Sequence, residues 1–294
     1  MLGCLLAGAL GDAWGGPYEG SAGPVAFAIP HAPSLSDDTE LTLATCQSIV
    51  ELGCIDAENL ASHFARWFEA GRIHRMGSST FKAMRDLAAG THWALAGARG
   101  EYAAGNGAAM RIAPLAFLLN PISPQDRTLV RDVCRITHHN DEAYAGALAI
   151  MLAIRSVISG TWSPERDFLS AAIDGLPDSA VRDRIAELLE LRLPLSEIAH
   201  NFRATGYVVD SVPLALYHAQ AIASESLPAV LVRTISMGGD TDTIASMVGQ
   251  IAGTVVGSDG VPRDLLNRIR DCDELITISE DFAEFVANWN LPST

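Results

Sequence analysis

The stretch Glu142–Gly160, EAYAGALAIMLAIRSVISG, limits the possible folds of this chain more than any other. It is alanine-rich, apolar almost all round, and too long to be a typical strand. A helix with a single apolar stripe can lie on a surface, whereas one that is apolar on every side must be wrapped by other helices. The rest of the chain supplies candidates. DDTELTLATCQSIVEL places Leu41, Ala44, Thr45, Ser48, Ile49 and Leu52 on one stripe, with Gly53 as a stop. AENLASHFARWFEAG puts Leu60, Phe64, Trp67 and Phe68 on one face and closes at Gly71. SAVRDRIAELLELRL, DSVPLALYHAQAIAS and TDTIASMVGQIAGTVVG read the same way, and SEDFAEFVANW adds a last helix.

Alternation with period two is scarce. PVAFAIP is extended in character, but nothing around it predicts a sheet. Breaks rich in Pro and Gly fall near Gly16–Pro33, Gly97–Gly107, Pro121–Pro124, Thr161–Pro164 and Pro177. They join helices without dividing the composition into two regimes, and there is no fixed-period repeat. The expectation is one all-α domain over residues 1–294, with small residues on the helix faces allowing close packing.

With 49% hydrophobic and 19% charged residues, a large core is available and disorder is disfavoured. The net charge is −15, from 20 basic and 35 acidic side chains. A general nucleic-acid binder needs a basic face, so that class is disfavoured. The cysteines, Cys4, Cys46, Cys54, Cys134 and Cys272, are odd in number and form no C-x-x-C pair, which fits a reducing compartment. The opening MLGCLLAGALGDAWGG has no basic region before its apolar run and is interrupted by Asp12, unlike a signal peptide. No run is long enough to span a membrane. A cytoplasmic protein is expected.

Two apolar helices open on acidic clusters: SDDTE, Ser36 to Glu40, and GGDTDT, Gly238 to Thr243. Helix capping explains one carboxylate at each, and Asp37 with Glu40 has capping-box spacing. It does not explain four. Asp37, Asp38, Asp240 and Asp242 have no Lys or Arg within either motif, while Ser36, Thr39, Thr241 and Thr243 add hydroxyls. Gathered together without a cation these carboxylates would repel. One or two Mg²⁺ or Mn²⁺ ions, which favour oxygen ligands, would resolve the excess. Spacing alone does not bring the two clusters together.

Three further stretches carry polar chemistry. GDAWGGPYEG holds Asp12 and Glu19 in a glycine-rich turn. GNGAAMR, Gly105 to Arg111, reads as a glycine-bracketed loop entering a helix, suited either to a phosphate or to a plain turn. THHN places His138 and His139 at a helix start, where a histidine serves structure more often than catalysis.

In this order the five stretches resemble the ADP-ribosylglycohydrolase family, from GCLLAGALGDAWGGPYE through SDDT, GNGAAMR and THHNDEAYAGA to GGDTDT. The resemblance spans residues 3 to 243. It implies an all-α, orthogonal multi-helix bundle around a central dinuclear Mg²⁺ or Mn²⁺ site. Ser36, Asp37, Asp38, Asp240, Asp242 and Thr243 match the metal-binding positions. Glu19 matches the acidic residue near the reacting bond and, with Asp38, the catalytic pair. Gly105, Asn106, Gly107, Met110, Arg111 and His138 match the ligand-binding positions, with the loop amides on a diphosphate. Asp240 and Asp242 are spaced to reach different ions, and Gly238 and Gly239 let the backbone come close.

The implied activity is metal-dependent hydrolysis of the glycosidic bond at C1″ of an ADP-ribosylated protein or small-molecule conjugate. Ser36 stands where threonine is usual but keeps the hydroxyl. Glu40, Leu41, Ala103 and Ala104 depart from the family pattern at the rim and bear on substrate preference. Two rival readings stay open at this stage: an ADP-ribose- and metal-binding protein without catalysis, and a metal-dependent nucleotide phosphohydrolase.

Overall fold

The computed structural model describes residues 1–192, 197–198 and 202–289. Its helices are α1 (Leu2–Gly15), α2 (Asp37–Leu52), α3 (Ala57–Glu69), α4 (Ser78–Ala88), α5 (Pro124–Arg135), α6 (Asp141–Ile158) and α7 (Phe168–Ile173). They continue as α8 (Ala180–Leu191), α9 (Val208–Ala219), α10 (Leu227–Ser236), α11 (Thr241–Val256), α12 (Arg263–Leu266) and α13 (Cys272–Trp289). Strands β1 (Ala98–Arg99) and β2 (His138–His139) pair in parallel and form the sole named sheet among the described residues. The expected all-α class is what the chain adopts.

Three helices make the centre. The apolar stretch that opened the sequence reading is α6, buried from Ala143 to Ile154 and again at Ser156. Asn140 caps it, its side chain accepting the N–H groups of Glu142 and Ala143. Helix α1 is buried from Gly3 to Gly15 and α11 from Thr241 to Gly253. Neither has a clean polar face, so each is enclosed by other helices.

The tightest packing is between α1 and α11. A methyl group placed on Gly11 would strike the backbone carbonyl of Ala245, and one on Gly249 would strike that of Ala7. Glycine at these positions lets the two backbones touch. Such contact holds the C-terminal end of α1, with Asp12, against the N-terminal end of α11, with Asp242.

Several local expectations need correction. Leu52 is 47% exposed and lies off the buried stripe of α2, because the helix ends there at Gly53. GNGAAMR does not open an α-helix. Asn106–Ala108 is a 3-10 turn, followed by another over Ala113–Phe117, with Pro114 early in it. His138 and His139 do not start a helix either; they form β2, and α6 begins after them. Helix α13 starts at Cys272, ahead of SEDFAEFVANW. Leu193, the end of the SAVRDRIAELLELRL pattern, lies outside the described residues, as do residues 290–294 of the expected domain.

Candidate metal centre and ligand cleft

The two acidic clusters meet. Thr243 Oγ1 donates to Asp38 Oδ2 at 3.2 Å, joining the first turn of α11 to that of α2. Asp37, Asp38, Asp240, Asp242 and Thr243 line one cleft of about 460 Å³, together with Glu19, Arg75, Asn106 and His138.

Capping accounts for little of this acidity. The cap of α2 is Ser36, whose side chain accepts the Asp38 N–H. Glu40 forms no capping box. Its carboxylate takes the His74 backbone N–H and the His74 ring Nδ1, both at 2.6 Å, and fixes the loop before α4. At the second cluster Asp240 occupies the cap position of α11 without a side-chain cap bond. Instead, Asp240 Oδ2 accepts from Asn106 Nδ2 at 2.7 Å, and Asp242 Oδ1 accepts the Thr243 N–H at 2.9 Å. Gly238 and Gly239, with φ of 75° and 79°, form the tight approach to this helix start.

Asp12, expected in a glycine-rich turn, lies instead within α1, and it is the acidic residue that the motif reading left out of the site. It is fully buried, and its Oδ2 accepts the N–H of Ser36 at 3.0 Å and the hydroxyl of Thr39 at 2.6 Å. Its carboxylate therefore sits at the positive end of α2 and holds that helix start in place. Ser36 Oγ lies 2.7 Å from Asp12 Oδ1 and 3.0 Å from Asp38 Oδ2. One hydroxyl proton cannot serve both, so both contacts are hydrogen bonds only when a carboxyl supplies a proton. A lone aspartate within such an apolar helix was the available signal for Asp12.

Oxygens of Asp12, Asp38 and Asp242 lie within 4.8 Å of one another. Burial, and then the neighbouring carboxylates, push Asp37 and Asp38 well above the usual carboxylate range. The same causes raise Asp242 to about 9. Asp38 Oδ1 is buried and has no hydrogen-bond partner among the described residues. An all-oxygen donor set, mutual repulsion and an orphaned buried oxygen together fit hard divalent cations.

A further wall of the cleft is built on His138. Its Nδ1 lies 2.7 Å from Thr137 Oγ1, which also accepts from Arg111 Nη2 at 2.9 Å. Thr137 then gives its own proton to Nδ1, which leaves Nε2–H as the donor. Burial holds His138 at about 3, so the ring is neutral. Gly105 and Gly107 lie against this imidazole: a methyl on Gly105 would stand 3.0 Å from Nε2. One on Gly107 would stand 2.8 Å from the ring and 3.0 Å from Thr80 Oγ1. Met110 also lines the cleft.

Arg111 is placed differently. It is 1% exposed and lies behind the loop, donating to the carbonyls of Gly107 and Val133 as well as to Thr137. His139 points away from the cleft, 2.8 Å from the Ala96 carbonyl.

Glu19 stands exposed at the rim, at the end of the Gly16–Tyr18 turn. Gly20 and Ser21 pair with Gly239, which ties this turn to the start of α11. Sequence reasoning also missed Arg75, the run Gly77–Thr80 at the start of α4, and Ala204–Gly206, all on the cleft wall. The small hydroxyl run opening α4 was a usable signal. Arg75 and Ala204–Gly206 had none.

With the geometry established, comparison with known proteins is informative. The profile of the ADP-ribosylglycohydrolase family matches residues 1–291. The mouse ADP-ribosylhydrolase ARH3 is 27% identical, covering 88% of this chain and 84% of its own. The ADP-ribosyl-[dinitrogen reductase] glycohydrolase of Rhodospirillum rubrum is 26% identical, over 80% and 73%. A solved structure of an ADP-ribosylglycohydrolase-related protein complex shares the fold, with a TM-score of 0.75 over 97% of both chains at 23% identity.

Proposed function

Because this chain belongs to the ADP-ribosylglycohydrolase family, we propose that it hydrolyses the glycosidic bond at C1″ of ADP-ribosylated proteins or small-molecule conjugates and releases ADP-ribose. The carrying observation is the convergence of Asp37, Asp38, Asp240 and Asp242 in one cleft, with Glu19 at its rim and a glycine loop on a neutral histidine lining its wall. Residues 1–294 act as one unit in this reading, because the cleft draws on segments from Glu19 to Thr243.

Asp37, Asp38, Asp240, Asp242 and Thr243 would hold two divalent cations, Mg²⁺ or Mn²⁺; Ser36, which the motif places among the ligands, and Asp12 would instead fix the α2 ligands from behind, since their oxygens are taken up by one another and by the start of α2. When bound, such ions supply Lewis-acid polarisation and a template for hydroxyl and water ligands.

Glu19 moves the proton. The bond from C1″ to the acceptor atom breaks, a bond from C1″ to a water oxygen forms, and Glu19 relays the water's proton to the departing acceptor. The charge that builds up on the ribose is of the oxocarbenium type met in glycoside hydrolysis. On the neighbouring wall, Gly105, Asn106, Gly107 and the His138 Nε2–H hold the diphosphate, with Met110 lining the same cleft. That contact supplies binding energy remote from the reacting bond. Arg111 contributes by holding the Gly107 carbonyl and Thr137. The five unpaired cysteines suit a reducing compartment, and we place the activity in the cytoplasm. No described helix is long and apolar enough to cross a membrane.

The test is a panel of defined ADP-ribosyl conjugates, assayed for free ADP-ribose with added Mg²⁺ or Mn²⁺ and with chelator. Release that requires metal supports the reading. Binding of ADP-ribose without cleavage of any conjugate points to a binding protein, and release of AMP points to a phosphohydrolase.

A further inference from the structure

The turn Asn106–Ala108 ends without running on into an α-helix, so the carbonyls after it must find partners elsewhere. For Met110 the residue four positions on is Pro114, which has no N–H to give. Met110 is 3% exposed, and its carbonyl needs a partner inside the protein. Gln250, in the middle of α11, supplies it: Nε2 donates to the Met110 carbonyl at 2.6 Å. The Thr42 hydroxyl also comes within 3.5 Å, but its proton goes to the Asp38 carbonyl at 2.7 Å.

The same stretch is tied to α11 a second time. The Met110 N–H donates to the Asn106 carbonyl at 3.1 Å, and Asn106 Nδ2 donates to Asp240 Oδ2 at 2.7 Å. Asp240 caps the start of α11. Gln250 lies about 15 Å further along the axis, at the usual rise per residue. One helix therefore holds both ends of the stretch from Asn106 to Met110, and the first of those holds is a carboxylate of the cleft.

Gln250 is a costly way to fill a core. It is 2% exposed, and its Oε1 has no hydrogen-bond partner among the described residues. A buried amide oxygen left in that state opposes folding, and methionine would occupy similar space without it. The packing nevertheless makes room: a methyl group on Gly8 of α1 would stand 2.7 Å from Gln250 Cγ. The amide has one orientation, since only its NH₂ side can face a carbonyl. Among the described residues its one side-chain hydrogen bond goes to Met110.

We propose that Gln250 is a positioning residue for the ligand loop. Together with Asp240 it fixes the stretch from Asn106 to Met110 against α11, so that the loop is already ordered when the diphosphate arrives. Without the Gln250 amide, that ordering has to occur on binding and opposes it. The proposal rests on the reading of this loop as the diphosphate site.

The experiment compares wild type, Gln250→Met and Gln250→Asn. Methionine keeps the length and removes the donor, whereas asparagine keeps the amide and draws it back from Met110. Hydrogen exchange over residues 105–111 should quicken by about three- to tenfold in both variants, the net contribution of one hydrogen bond. The Kd for ADP-ribose, by calorimetry in saturating Mg²⁺, should rise by about the same factor. The Kd for Mg²⁺ should stay as in wild type. With the best conjugate, KM should rise and kcat should stay near wild type, the pattern of lost uniform binding. Gln250→Met should melt close to wild type, because the Met110 carbonyl loses its partner as the unpartnered Oε1 disappears.

A plain core role gives the opposite pattern: a lower melting temperature with loop exchange, ADP-ribose affinity and KM unchanged. That result overturns the proposal and leaves the hydrolase reading standing. Failure of both variants to fold also overturns it and makes Gln250 a core residue. Faster exchange with unchanged ADP-ribose affinity overturns it as well, since the loop is then held for some purpose other than this ligand. If wild type binds no ADP-ribose and cleaves no conjugate, the diphosphate reading itself fails, and the proposal fails with it.

Discussion

The Thr243 hydroxyl donates to Asp38 across 205 positions of sequence, at 3.2 Å. Both residues are buried in the first turn of a helix, and each helix brings two aspartates. This contact turns two ordinary-looking helix starts into one acidic centre. Asp12 completes it from α1, which the glycine contacts press against α11.

Replacing Asp38 or Asp242 with asparagine should cost metal but not the fold. In the metal-free protein it should add stability, because burial and like charges make a carboxylate costly at these positions in the fold, a cost that asparagine does not carry. Wild type should gain about 2.7 kcal/mol from metal at a hundredfold excess over its Kd. The variants should gain little. Thermal unfolding with and without Mn²⁺, together with metal analysis, checks both halves. A variant with wild-type metal content and an unchanged thermal shift would make these aspartates mere helix-start acids.

Glu19→Gln keeps size and leaves the buried carboxylates intact. Turnover of the best conjugate should fall by about 10²–10⁴-fold, the usual range for lost acid–base catalysis. ADP-ribose affinity by calorimetry should stay near wild type. Normal turnover in this variant would remove Glu19 from the proton path.

Gly11→Ala or Gly249→Ala should destabilise the protein by about 1–3 kcal/mol, the usual cost of overpacking, and toward the upper end here. The atom each methyl meets is a backbone carbonyl on the facing helix, which cannot rotate away. Denaturant unfolding reads the loss. A neutral result would mean that α1 and α11 can separate at little cost.

His218 offers a pH test away from the cleft. It is buried in α9 with neither ring nitrogen partnered among the described residues, and burial, followed by Arg233, holds it at about 3 against an ordinary 6.5. Between those values the unfolded chain binds a proton that the folded one refuses. The stability present above pH 6.5 is therefore lost as pH falls through that window, by about 1.4 kcal/mol per pH unit for this residue. His218→Leu should flatten the acid side of the stability curve relative to wild type. Parallel curves between pH 6.5 and 4 would contradict the assignment.

The sequence made the helices and both acidic clusters legible, because apolar period and unpaired carboxylates are local signals. The burial of α6 was readable for the same reason: a stretch without a polar face has nowhere else to go. Convergence of Asp38 with Thr243 was not readable, since only packing of α1, α2 and α11 creates it. Asp12 was visible but ambiguous. Its role depends on Ser36 and Thr39 arriving from another helix. Arg75 gave no signal, because its importance lies in where a loop sets it. Arg111 followed the motif, yet its guanidinium serves Gly107, Val133 and Thr137.

The most direct test of the proposed reaction is product analysis on a serine-linked conjugate in ¹⁸O water, with metal and with chelator. Intact ADP-ribose should appear with metal alone, with no AMP, and the recovered serine hydroxyl should carry no label, because the bond broken is that between C1″ and the acceptor oxygen. Labelled serine, AMP as the product, or full turnover in metal-stripped protein would contradict it.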